Sequence, residues 1–226
     1  MIRNFEKIYL VKMFSRLKDS DQVLILSCFF SIFLMGFRIF YTGEPLFLFL
    51  VWNLFLALIP YFISRRIIKK ANSNKRFFFW AGTIVWLLFL PNSFYILTDL
   101  FHLDMNETVP LWFDLALLLS FAWSGLLAGT LSIRHMERYF EVNYGPASDL
   151  FFLYPVMFLN ALGIYIGRYL RFNSWDVLTD PFQLVKEIVY LFIHPLRNRF
   201  DWSMILCYSV LMTIIYLSIK KLSKTK

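Results

Sequence analysis

The chain has 226 residues, of which 59% are hydrophobic and only 17% charged, with a mean hydropathy of +0.59. A soluble domain carries about 45–50% apolar and about 25% charged residues, and one core of this size cannot enclose the excess. An ordinary cytosolic enzyme, a disordered tail and a secreted disulfide scaffold are excluded; the net charge of +8 lies beside apolar runs, which points to anionic lipid rather than to nucleic acid.

Residues Met1–Asp21 form a basic segment. Ile2, Phe5, Ile8, Tyr9 and Leu17 share a helical face, and Arg3, Lys7, Lys12, Arg16 and Lys18 supply charge. Such a segment either lies in the headgroup layer or is a basic tail that fixes topology. No small-residue cleavage site follows the first apolar run, so no removable signal peptide is expected.

A bilayer core of about 30 Å needs about 20 helical residues. Five stretches fit: Val23–Tyr41, Leu46–Ile63, Leu111–Ile133, Leu150–Ile166 and Ser203–Ile219. A sixth, Phe77–Leu90, reaches full length only by continuing through Pro91-Asn92 to Leu100. The expectation is an all-α membrane bundle of six spans, the third broken at Pro91. One membrane domain covers 22–219, between the basic segment 1–21 and a basic tail 220–226.

Positive charge sets the orientation. The loop Ser64–Arg76 holds Arg65, Arg66, Lys69, Lys70, Lys75 and Arg76, and the tail holds Lys220, Lys221, Lys224 and Lys226. Pro91–Pro110 has no Lys or Arg. Six spans with both termini cytoplasmic in a plasma membrane satisfy these counts, with Ser132–Ser148 as an inner loop and His135 in a solvated turn. Gly167–Trp202 strains the rule with Arg168, Arg171, Lys186, Arg197 and Arg199. Within it, Asp180 as N-cap, Pro181 at N1 and Gln183 at N3 predict a helix that ends at His194-Pro195. It is too short to span, which predicts an interfacial helix.

Two polar constellations fall on the outer side. In Leu90–Leu103 the residues Asn92, Tyr95, Asp99 and His102 form one helical stripe, and Asp114 opens the next span. In Gly163–Asp176, Arg168 and Arg171 stand one turn apart, Gly163 and Gly167 allow close helix contact, and Trp175 and Asp176 follow Asn173-Ser174.

These motifs, LPN-x-x-YI-x-TDL-x-HL from Leu90, P-x-WFD from Pro110 and G-x-Y-x-GRY-x-R-x-NSWD from Gly163, resemble those of a bacterial integral-membrane family described as domain of unknown function 1361. The likeness runs from about Leu46 to Tyr216. It implies a multi-pass bacterial membrane protein and assigns no activity.

The residues therefore have to supply the chemistry. Arg168 and Arg171 suit the phosphate of a phospholipid or a lipid-linked glycan, with Asn92, Tyr95, Asp114, Trp175 and Asp176 completing an outer pocket. Asp99 and His102 are the candidate catalytic acid and base for a transferase or hydrolase on such a lipid. A divalent metal on Asp99, His102 and a further carboxylate is a weaker option, and no resident cofactor is expected. A structural alternative pairs Asp99, Asp114 and Asp176 with the arginines as interhelical ties, since membrane-embedded charge is costly unless paired. A partner-binding envelope module stays open through the small residues Ser124, Ala128 and Ser132, read as lipid-facing. Transport is disfavoured, because no inverted repeat appears. Cys28 and Cys207 lie in apolar runs as small hydrophobes.

Overall fold

The computed structural model describes residues 2–70, 76–103, 109–145, 149–172 and 179–223. Among them are seven α-helices and no strand: α1 (Ile2–Thr42), α2 (Phe49–Lys70), α3 (Arg76–Tyr95), α4 (Leu111–Tyr144), α5 (Tyr154–Arg168), α6 (Pro181–Ile193) and α7 (Arg199–Leu222). All but α6 contribute to a stretch long and apolar enough to cross a membrane, α5 together with the turn before it as Phe151–Arg168. In lipid the backbone must satisfy its own hydrogen bonds, and helices do so. The outward surface is apolar too, with Phe29, Phe33, Phe55 and Trp123 among many exposed rings. The chain is a multi-pass membrane protein.

The third span differs in detail from its sequence reading. The α-helix passes through Pro91 and ends only at Tyr95. A 3-10 turn then runs over Ile96–His102. Proline removes one backbone donor but leaves its own carbonyl free. Asn92 Nδ2 donates to the Phe89 carbonyl at 3.0 Å. The break therefore falls at Ile96, not at Pro91.

α4 is the central helix, touching α1, α2, α3 and α7. At 1.5 Å per residue its length is about 51 Å, well beyond an apolar core of about 30 Å. The inner loop expected at Ser132–Ser148 is helix as far as Tyr144, and His135 is buried rather than solvated. Its Nδ1 lies 3.1 Å from Ser64 Oγ on α2. Nearby, Lys220 Nζ donates to Glu137 Oε1 at 2.9 Å, and the Tyr216 hydroxyl donates to Glu137 Oε2 at 2.6 Å. Opposite charges on α4 and α7 thus meet where a charged run reads as a loop. At the same end Arg65 donates to Asp21 at 2.8 Å, and the Tyr61 hydroxyl also donates to Asp21.

Ser124, Ala128 and Ser132 do not face lipid. All three are fully buried, with Ser124 bonded to Ser27 and Ser31 on α1 and Ser132 accepting from Trp86 Nε1 at 2.7 Å. The small residues that matter for packing are one position over. A Cβ on Gly125 would collide with Ile96 and come 2.7 Å from the Ser93 carbonyl oxygen. Backbone cannot yield as a flexible side chain can. Gly125→Ala is expected to destabilise by about 1–3 kcal/mol, the range for overpacking, read as a lowered thermal midpoint in detergent. An unchanged midpoint would show that α3 and α4 are not held at this separation.

α6 starts as predicted. The Asp180 carboxylate accepts from Gln183 N at 3.3 Å, Pro181 opens the helix, and His194 closes it. One face buries Leu184 and Leu191, while Phe182, Val185 and Ile193 stay exposed. The side chains of Met1–Lys18, which bear the predicted amphipathic face, lie outside the described residues, as do Asn173, Ser174, Trp175 and Asp176.

Candidate functional site

The site lies where the C-terminal ends of α3 and α5 meet the start of α2. Tight 3-10 winding places residues three apart above one another, so Asp99 and His102 share one edge of the turn. Arg168, in the last turn of α5, reaches across to that edge. Its Nη1 lies 3.5 Å from Asp99 Oδ1 and 3.4 Å from the Tyr95 hydroxyl, to which it donates. Its Nη2 donates to the Thr98 carbonyl at 3.0 Å. Asn53, from α2, donates its amide to Asp99 Oδ2 at 2.7 Å. The Asp99 side chain is 1% exposed and the Arg168 side chain 18%, so the pair is shielded but not sealed.

Asp99 Oδ1 makes no hydrogen bond in the described structure, although the guanidinium stands beside it. The pair is attractive but loosely aligned, which leaves guanidinium donors for another anion. His102 Nδ1 lies 3.1 Å from the Asp99 carbonyl oxygen and 3.4 Å from Arg168 Nη2. A carbonyl accepts and a guanidinium donates, so one neutral ring nitrogen cannot serve both. The shorter contact selects Nδ1–H donating to the carbonyl. Nε2 then carries the ring's lone pair. Phe49 packs against the ring at 5.0 Å between centroids.

A cavity of about 440 Å³ adjoins this cluster, between α2, α3, α5 and α6. Its inner wall includes Leu56, Leu87 and Leu162, and α6 contributes Leu184 and Ile188. Trp52, Ile84 and Leu159 line it as well, and all three are exposed on the outside of the bundle. The cavity is therefore open sideways, toward where hydrocarbon would lie. Its other end is polar, formed by Asn53, Asn92 and Tyr95. From Ile84 to Tyr95 along α3 is about 16 Å at 1.5 Å per residue. Gly163 also borders it, with its missing Cβ replaced by the Pro91 ring, whose Cβ would lie at 2.8 Å.

Over residues 52–216, more than half of the chain, the sequence matches the model of a family described as a protein of unknown function, DUF1361. The chain belongs to the DUF1361 family. No curated protein and no solved structure matches it.

In this DUF1361 member the structure sorts the sequence candidates into three groups. Tyr95, Asp99, His102 and Arg168 come together, with Asn92 on the adjoining cavity wall. Asp114 is placed elsewhere, and Arg171 precedes Phe172, which lines the cavity. Asp114 is held by Arg38 of α1, whose Nε and Nη2 donate to its two oxygens at 2.8 and 3.3 Å. Arg171 is exposed and takes a left-handed backbone, φ 60°, where the chain turns away from α5. Trp175 and Asp176 lie outside the described residues. Among the described residues no three His, Cys, Asp or Glu side chains converge as metal ligands.

Two residues that pair with the candidate carboxylates escaped the sequence reading. Arg38 is a lone arginine within the first apolar span, and Asn53 a lone amide within the second. An intramembrane charge demands a partner, and that signal alone would have singled out Arg38.

Proposed function

We propose that the protein binds a membrane lipid, with a hydrocarbon chain in the cavity and a phosphate-bearing or glycosylated headgroup beside Arg168. One observation carries the reading: an apolar cavity open on its bilayer side ends in a polar rim next to a half-shielded guanidinium. A small-molecule pocket is typically about 300–1,000 Å³, mostly apolar, with a few orienting polar groups, and this cavity fits that description. Arg171, exposed near Phe172 of the cavity rim, adds positive charge where a headgroup would emerge. The basic residues Arg65, Arg66, Lys69 and Lys220 gather at the opposite end, which supports cytoplasmic termini and an outward-facing site in a bacterial plasma membrane.

Leu88 lines the cavity and is half-buried. Leu88→Trp should fill the space without touching the charged cluster. The protein purified in mild detergent is expected to retain bound phospholipid by native mass spectrometry, and Leu88→Trp to lose most of it at an unchanged thermal midpoint. Equal retention by both would sink the pocket. A transferase or hydrolase acting on the same lipid is the second reading, favoured by the His102 ring beside the Asp99–Arg168 pair, its Nδ1 3.4 Å from Arg168 Nη2. It is supported only if a product mass accumulates when the wild-type protein is incubated with the lipid.

A further inference from the structure

The polar groups around the cavity follow one another in a fixed order along α3 and its 3-10 extension. Hydrocarbon wall comes first, at Ile84, Leu87 and Leu88. Neutral hydrogen-bonding groups follow, at Asn92 and Tyr95. The charged groups come last, Asp99 on the 3-10 turn and Arg168 reaching across to it from α5. A glycerophospholipid carries the same order along its own length: acyl chain, ester carbonyl, phosphate. Resting on the lipid-pocket reading, we infer that the bound lipid is an acyl-ester glycerophospholipid, and that the Tyr95 hydroxyl donates to one of its ester carbonyls while the phosphate lies against Arg168.

The hydrogen-bond directions favour this assignment. Arg168 Nη1 donates to the Tyr95 oxygen at 3.4 Å, so the tyrosine's own proton is directed elsewhere. It has a need for an acceptor, and the hydroxyl sits at the rim of the cavity. A hydroxyl that accepts from a cation is polarised into a better donor. The amides of Asn53 and Asn92, the other polar groups near this level, each give a proton within the protein, to Asp99 and to the Phe89 carbonyl. The Tyr95 hydroxyl stands 3.4 Å from the guanidinium, where an oxygen bonded close to the phosphate would lie. In a glycerophospholipid the phosphate is only a few bonds from the ester, so both contacts can form at once across the 3.4 Å that separates hydroxyl and guanidinium. A polyprenyl phosphate has no ester and would leave the tyrosine donor without a carbonyl.

The test compares diacyl phosphatidylglycerol with its dialkyl ether analogue, which has the same chains and headgroup and lacks the carbonyls. Both are titrated into delipidated protein in detergent and read by native mass spectrometry. The wild type is expected to bind the ester lipid about ten-fold more tightly, the effect of losing one strong hydrogen bond. Tyr95→Phe keeps the ring and removes only the hydroxyl; it should bring the ester lipid down to the ether's affinity and leave the ether unchanged. Equal wild-type affinity for the two lipids overturns the assignment, and so does a Tyr95→Phe loss shared by both. If Tyr95→Phe does not fold, the wild-type comparison still decides. Binding of neither lipid would instead refute the pocket reading on which the assignment rests.

Discussion

Arg38→Leu is expected to cost about 3–5 kcal/mol of stability, the penalty for removing one partner of a buried ion pair. The Arg38 and Asp114 side chains are 0% and 4% exposed, and the two hydrogen bonds at 2.8 and 3.3 Å make the contact bidentate. The guanidinium also lies 4.6 Å from the centre of the Phe47 ring. Leucine at position 38 would leave the Asp114 carboxylate buried without its donor. The double variant Arg38→Leu, Asp114→Leu should recover most of the loss, because replacing both ions with apolar groups is often nearly neutral. Thermal or denaturant unfolding in detergent measures both. A single variant as stable as the wild type would show that the pair does not hold α1 to α4.

The second large effect is expected at Asp99. Asp99→Asn should destabilise by about 3 kcal/mol, at the low end of the range for a buried pair, because Arg168 is partly exposed and solvent screens it. The variant should also lose bound lipid, since an Arg168 no longer drawn toward the 3-10 turn is no longer positioned beside the cavity rim. The double variant Asp99→Asn, Arg168→Gln separates the two roles. It removes both charges and is expected to regain stability, yet it should not regain lipid. Recovery of both would make the pair a tie between α3 and α5 and nothing more.

The spans were legible in the sequence because apolar runs of bilayer length have few other uses. The meeting of Asp99 with Arg168 was legible as well. Both sit at the C-terminal ends of odd-numbered spans, and alternating topology places those ends on one side. The short helix after Asp180 was legible from its cap. Partner choice was harder to read. Asp114 stands near Asp99 in the sequence, but it opens α4 on the side that packs against α1, so Arg38 reaches it. His135 and Glu137 lie in a charge-rich stretch that reads as a loop. Their burial depends on Ser64 and Lys220, which come from distant helices. The cavity had no local signal. It lies where Gly163 lets α5 approach the Pro91 ring and where Leu184 and Ile188 of α6 add a further wall, and such a space is a property of several elements together.

The separation of Arg38 from Asp114 bears on how the chain is made. The two residues are 76 positions apart, with two whole spans between them. A membrane-embedded arginine without a counter-charge costs about 2.5–3.5 kcal/mol on insertion scales, a cost that α1 carries until α4 has been synthesised. The tie between the first and fourth spans can therefore form only once both have been made.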